Sequence, residues 1–253
     1  MDTHAPDNPY APTHPEIRDA VRALCLKFDG AYWRKLDRDR GYPTEFVKAL
    51  TEAGWLSILI PEEYGGAGLP LRAACVILEE IHASGCSASA CHAQMYMMGT
   101  LLRHGSAEQK RRYLPRLATG ELLGCFGLTE PDHGSDPGSM KTRAKKVDGG
   151  YLLTGTKLWI TNAPIAHVLV VWAKDDGGVI RGFILERGMK GLSTRKIEGK
   201  FSVRASPTGE IVMDQVFVPE ENLLPNVSGL KGPFGCLNNA RFSICWGALG
   251  AAE

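Results

Sequence analysis

The chain has 253 residues, 44% of them hydrophobic and 23% charged, and a net charge of +1. This composition suits one large or two ordinary folded domains, excludes wholesale disorder, and argues against nucleic acid or an anionic membrane as the main partner. No apolar run reaches the ~18 residues of a membrane-spanning helix, and the longest, such as Val168 to Ala173, are strand-sized, so no membrane insertion is expected.

Residues 1–15 hold four Pro, two His and two Asp. They lack the basic and apolar regions of a signal peptide and predict a flexible arm. Residues 16–120 then read as a helical domain. Ile17, Ala20, Val21, Leu24 and Phe28 follow helical spacing from Glu16 to Phe28. Pro43 and Thr44 open a second helix that Gly54 ends. Pro61 to Gly68 is a glycine-rich loop. Further helices are predicted from Leu71 to His82 and from Ala88 to Arg103. Ser106 with Gln109 forms a capping box for a last one, which stops at Gly120.

Residues 121–231 have a different texture, with short β-rich runs between turn signals. Leu122 to Leu128 is the first. Arg143 to Val147 and Tyr151 to Thr154 flank Asp148-Gly149-Gly150 as a hairpin. Val168 to Trp172 and Ile180 to Leu185 flank Asp175 to Gly178 as another. Ile211 to Val218 ends the series. Six to eight strands with almost no helix between them predict a small barrel or sandwich rather than βαβ units. Residues 232–253 begin a further helix, through Leu237, Ala240, Arg241, Ile244, Ala248 and Ala251, with little to pack against. A fragment of something longer, or a chain that needs a partner to cover this helix, is therefore expected.

The seven cysteines are scattered, odd in number and without C-x-x-C. That argues against a disulfide framework or a zinc site and points to the cytoplasm. There is no G-x-G-x-x-G, G-x-S-x-G or H-E-x-x-H. Gly150 to Lys157 nearly matches a P-loop, but its last pair is Thr-Lys and it lies in a hairpin.

Three segments could carry chemistry. In Phe126 to Asp136 a strand runs into a Pro, Gly, Ser and Asp turn, whose freed backbone N–H groups could cradle a pyrophosphate. Such a segment also reads as no more than a turn. In Trp159-Ile160-Thr161-Asn162 the indole could stack on a planar ring and Thr161 could donate to a ring heteroatom, or Trp159 could simply belong to the sheet core. In Gly232 to Arg241 a glycine-rich helix start could admit a ligand, with Arg241 pairing an anion or sitting in an ordinary ion pair.

Pro61 to Gly68, Thr129-Glu130-Pro131 with Gly134-Ser135-Asp136, and Gly155-Thr156-Lys157 with Trp159 to Asn162 occur together and in order. In this the chain resembles the acyl-CoA dehydrogenase family over nearly its whole length. From Glu121 onward it is most similar to the glutaryl-CoA dehydrogenases, through Gly124 to Pro131, Ile180 to Phe183, Gly199 to Ser206 and Gly232 to Arg241. The resemblance implies an α+β fold: an N-terminal helical domain, a small β-barrel or sandwich domain, and the first helix of a truncated C-terminal helical bundle. It implies an FAD flavoprotein of fatty acid or amino acid catabolism. Such an enzyme oxidises an acyl-CoA thioester between its α and β carbons and passes the electrons to an electron-transfer flavoprotein. The full-length form is implied to be a homo-oligomer.

Carried over by position, Phe126, Leu128, Thr129, Gly134, Ser135, Trp159, Ile160 and Thr161 would bind the cofactor. Ser135, Phe234, Leu237, Asn238 and Arg241 would contact the acyl-CoA. The family's catalytic Glu belongs to the bundle past Glu253, so no catalytic residue and no metal site is expected, and the short chain is expected to be inactive alone. Glutaryl-CoA would need a cation for its distal carboxylate. The family places an Arg shortly after a Ser-Gly pair, whereas Ser84-Gly85 is followed here by Cys86-Ser87-Ala88, with no Arg before Arg103. Either the specificity has changed or the gene joins two relatives. The alternatives are a non-catalytic flavin- or acyl-CoA-binding subunit completed by a partner chain, and a related acyl-CoA oxidase or flavin monooxygenase.

Overall fold

A computed structural model describes residues 13–253; the expected arm lies, up to residue 12, outside the described residues. The helical part comprises α1 (Pro15–Cys25), α2 (Gly30–Asp39), α3 (Thr44–Glu52), α4 (Leu71–Ala83), α5 (Ser89–His104) and α6 (Ala107–Ala118). Helix α1 buries Ile17, Val21 and Leu24 as its spacing predicts. It stops at Cys25 rather than Phe28, because the chain turns there and sets the Phe28 ring edge-on to Tyr32 and Phe46. Helix α2 escapes the periodicity argument because it buries no residue fully; part-buried Tyr32 and Trp33 pack against Phe28 and Phe46, and at its N-cap the Asp29 carboxylate accepts the Tyr32 N–H at 2.9 Å. Helix α4 is buried from Ala73 to Ile81, and its Glu79 and Glu80 pair with Arg18 and Arg22 of α1. The expected capping box is present at α6, with Ser106 and Gln109 satisfying each other's backbone N–H groups.

The seven strands are β1 (Gly124–Gly127), β2 (Arg143–Val147), β3 (Gly150–Thr161), β4 (Val168–Lys174), β5 (Ile180–Glu186), β6 (Leu192–Lys196) and β7 (Thr208–Pro219). They form one sheet in the order β1-β4-β2-β3-β7-β6, with β5 paired to β4. Strand β6 was not anticipated, because its exposed Ser193, Arg195 and Lys196 give no apolar run. Side chains alternate along β4. Leu169, Val171 and Ala173 join Leu153, Ile211, Met213 and Val216 from β3 and β7 in one core. Strands from the two halves of the sheet thus enclose a common interior, as a curled, barrel-like sheet does. The opposite set, Val168, Val170 and Trp172, packs into the core of the helical part.

A final helix, α7 (Lys231–Ala252), lies along α4 and α5. Close approach is possible because Gly250 sits against α4: a Cβ there would lie 2.0 Å from the Glu79 carbonyl oxygen. Among the described residues no helix is long and apolar enough to cross a membrane, no metal-ligating cluster occurs, and the cysteines are free, all but Cys245 buried.

Candidate functional site

A cavity of about 390 Å³ opens between the glycine-rich loop, α5 and α7. Leu59 and Leu69 flank the loop, and α4 adds Leu71 and Ala74; α5 supplies the stripe His92, Tyr96, Gly99 and Arg103; α7 supplies Cys236, Ala240 and Ser243. The loop's Pro61-to-Gly68 motif has a steric basis at Gly66, where a Cβ would meet the Ile60 carbonyl oxygen at 2.0 Å. The wall is largely apolar, and among the described residues no carboxylate lines it. His92 Nε2 lies 3.0 Å from Ser243 Oγ, and burial pushes the ring down to about 4, so it is neutral near pH 7. Burial likewise raises the Tyr96 hydroxyl. The Tyr96 ring stands edge-on to Phe126, 5.8 Å between centroids, and so connects the cavity wall to β1.

Beyond Phe126 the chain leaves β1 through Leu128, Thr129 and Glu130. Glu130 is buried, and so, fully, is Lys157 of β3, and the two form an ion pair at 2.9 Å. One carboxylate oxygen also accepts the Thr142 N–H and hydroxyl, and the other accepts the Lys141 N–H. Lys157 donates further to the Leu128 carbonyl at 3.2 Å. Burial alone would raise the Glu130 carboxyl, but the Lys141 N–H, the Thr142 hydroxyl and the Lys157 ammonium outweigh it and hold it at about 2. Burial lowers Lys157 to about 8 against the pull of Glu130, so both groups are charged near pH 7. The Leu158 N–H donates to the Thr129 carbonyl at 2.8 Å, so the two motifs are joined by backbone as well as by charge.

The next residue is Trp159. Opposite β7, Lys157 pairs with Ile211 and Ile160 with Gly209, which leaves one extra residue on β3. This bulge carries Trp159 at φ 62°, a left-handed conformation that is rare for a bulky side chain, and leaves its indole 59% exposed. Strain of this kind collects at functional sites. Asn162, also left-handed at φ 66°, is buried: its Nδ2 donates to the Ala90 carbonyl of α5 at 3.3 Å and its Oδ1 has no donor. Among the described residues the N–H groups of Gly134 and Ser135, on the exposed turn after Glu130, have no protein acceptor.

The anticipated residues therefore fall into groups. Thr129 and Trp159 lie on adjoining segments, with half-buried Thr161 two residues on. Gly134 and Ser135 occupy the exposed turn. Phe126 and Leu128 are buried in the core shared with the helices, while Ile160 points into the sheet core, leaving only its backbone for a ligand. Phe234, Leu237, Asn238 and Arg241 form a stripe on the far side of α7 from Cys236, Ala240 and Ser243, so they do not line the cavity. Sequence reasoning missed His92, Tyr96, Ser243 and the Glu130–Lys157 pair. The spacing of His92, Tyr96, Gly99 and Arg103 marks a helix face, but nothing local says that this face borders a cavity. The ion pair joins residues 27 apart in the chain.

Comparison with known proteins supplies a further finding. Residues 11–121 match the model of the acyl-CoA dehydrogenase N-terminal domain, and residues 125–216 that of the acyl-CoA dehydrogenase middle domain. Over 250 residues, 95% of its length, the chain is 40% identical to mitochondrial isovaleryl-CoA dehydrogenase of Solanum tuberosum, of which it covers 61%. It is 38% identical to glutaryl-CoA dehydrogenase of Desulfococcus multivorans, with 94% of the chain and 63% of that relative covered. Among solved structures, a glutaryl-CoA dehydrogenase from Mycobacterium smegmatis in complex with FADH2 superposes with a TM-score of 0.89 at 40% identity, covering 94% of this chain and 61% of that one. The chain thus spans about three fifths of the length of these relatives.

Proposed function

The chain belongs to the acyl-CoA dehydrogenase family, and from that premise we propose that it serves the FAD-dependent α,β-dehydrogenation of an acyl-CoA thioester. The observation that carries this reading is the strained, exposed indole of Trp159, held beside the Thr129 loop by a buried ion pair. The residues fit the cofactor. Trp159 offers a flat platform, the Gly134 and Ser135 N–H groups are free donors for a pyrophosphate, and Asn162 Oδ1 is a buried acceptor without a donor. Bound FAD would supply the acceptor for hydride leaving the β-carbon as the α-proton is withdrawn.

Trp159 stacks on the ring system in this reading, and Thr129 and Thr161 donate to its polar edge. Glu130 and Lys157 touch no ligand; they fix the distance between the loop and the indole. The acyl group occupies the apolar cavity, where the packed side chains exclude water and so favour loss of the α-proton from a polarised thioester. Among the described residues the cavity wall carries no carboxylate that could act as the base. Arg103 is the one permanently charged side chain on that wall and is exposed, so the wall buries no cation for the distal carboxylate of glutaryl-CoA. The proposed whole protein is a homo-oligomer that passes its electrons to an electron-transfer flavoprotein.

The test is an absorbance spectrum of the purified protein, followed by anaerobic addition of short acyl-CoA thioesters. Near-stoichiometric flavin that bleaches with the thioester supports the reading. Trp159→Ala should lower flavin retention more than a surface substitution does. Flavin content unchanged in that variant would remove the stacking role, and flavin that no acyl-CoA bleaches would remove the reaction.

A further inference from the structure

Within the cavity, His92 and Ser243 make a hydrogen bond between the facing helices α5 and α7. The Ser243 hydroxyl donates to the Ala240 carbonyl at 3.1 Å. Its oxygen is then the acceptor for His92, so the imidazole proton sits on Nε2 and Nδ1 carries a lone pair. Among the described residues no protein group donates to that Nδ1. The rest of the wall is mostly hydrocarbon and thioether, from Leu59, Leu69, Leu71, Met95 and Leu102, with Tyr96, Arg103, Cys236 and Asn239 as its other polar side chains. His92 is half-buried and its Nδ1 is not among the buried polar atoms without a partner, so water can reach it in the cavity; a saturated hydrocarbon tail that displaced this water would leave the acceptor without a donor, which is costly.

We propose that His92 is a specificity-determining residue, and that the acyl group taken by this cavity carries a neutral hydrogen-bond donor, a hydroxyl in the simplest case, which donates to His92 Nδ1. The assignment rests on the cavity holding the acyl group. A carboxylate has acceptors only and would meet the Nδ1 lone pair oxygen-first. The nearest permanent cation on the wall, Arg103, is eleven residues further along α5, about 16 Å at the helical rise. A plain alkyl chain would leave Nδ1 without a partner. Sites built around such a bond discriminate against analogues that lack it, whereas one methylene more or less changes little.

The test uses the flavin-loaded protein as wild type, His92→Leu and His92→Gln; the glutamine keeps a neutral acceptor. Binding of a matched series of unreactive S-alkyl-CoA thioethers, with and without a terminal hydroxyl, is measured by calorimetry. KM and kcat are measured for the corresponding acyl-CoA thioesters. Wild type should favour the hydroxylated member by about tenfold or more in binding and in KM. His92→Leu should abolish that preference with flavin content unchanged, and His92→Gln should restore part of it. Equal preference in wild type and His92→Leu, or a wild-type preference for the plain or carboxylated chain, overturns the proposal. The thioether series reads the preference even where no thioester is turned over, so failure of the dehydrogenation reading and failure of this inference are told apart.

Discussion

At the scale of single residues, the Glu130–Lys157 pair decides most. Neither charge can find water if its partner is lost, so Glu130→Gln or Lys157→Met should each cost about 3–5 kcal/mol. Removing both should cost clearly less than the sum, because the second substitution no longer strands a buried charge; chemical denaturation of the two single variants and the double variant reads this directly. The acid dependence follows from the same group. Glu130 sits at about 2 in the fold against an ordinary 4.5, so its contribution is complete above pH 4.5 and fades as the pH falls toward 2. Melting temperatures followed downward from pH 6 should therefore drop less steeply in Glu130→Gln than in wild type. Trp159 presents the opposite balance. Its left-handed backbone costs about 1 kcal/mol that glycine would not incur, so Trp159→Gly should leave the apoprotein as stable as wild type or slightly more so. Flavin retention should fall in the same variant, and a lower apoprotein melting temperature would contradict the strain argument.

Among the elements, those with an apolar rhythm or a turn signal could be read from the chain. The capping box at Ser106 and the hairpin turn at Asp148-Gly149-Gly150 act within a few residues, and both stand where expected. Helix α2 and strand β6 escaped because they bury no residue fully: Tyr32 and Trp33 of α2 and Leu192 of β6 are only part-buried against the cores, and the Asp29 cap and pairing with β7 help to place them. The candidate site was legible as motifs but not as geometry. That Glu130 would be bound to Lys157, or that α7 would turn Ser243 rather than Arg241 toward the cavity, depends on long-range packing that no local pattern encodes. The packing of α7 is itself testable. Gly250 allows contact with the Glu79 carbonyl, and any side chain there must push the helices apart. Gly250→Ala should therefore lower stability despite the better helix propensity of alanine, and a gain in the thermal midpoint would show that α7 gives way easily.

For the molecule as a whole, the helical part and the sheet do not own separate interiors. Trp172 is fully buried from β4 among the helices, 5.9 Å from the Phe126 ring and 6.2 Å from His104. Gly182 and Gly232 leave room for its ring, since a Cβ at either would approach it within 3.1 Å. Trp172→Ala should cost about 3–5 kcal/mol, and the loss should appear in helix and sheet signals together. Circular dichroism and hydrogen exchange resolved by segment should report one shared transition; two separated transitions in wild type would argue that the two parts fold independently.

Strand β4 turns alternate side chains to two different interiors, so heredity cannot treat its residues as the property of either half. A chimera spliced near residue 121, with helices from one ancestor and sheet from another, would inherit Val168, Val170 and Trp172 from the wrong parent for the helices they must fit. A natural or laboratory crossover between relatives should survive best when those three positions travel with the upstream segment or are already shared by both parents.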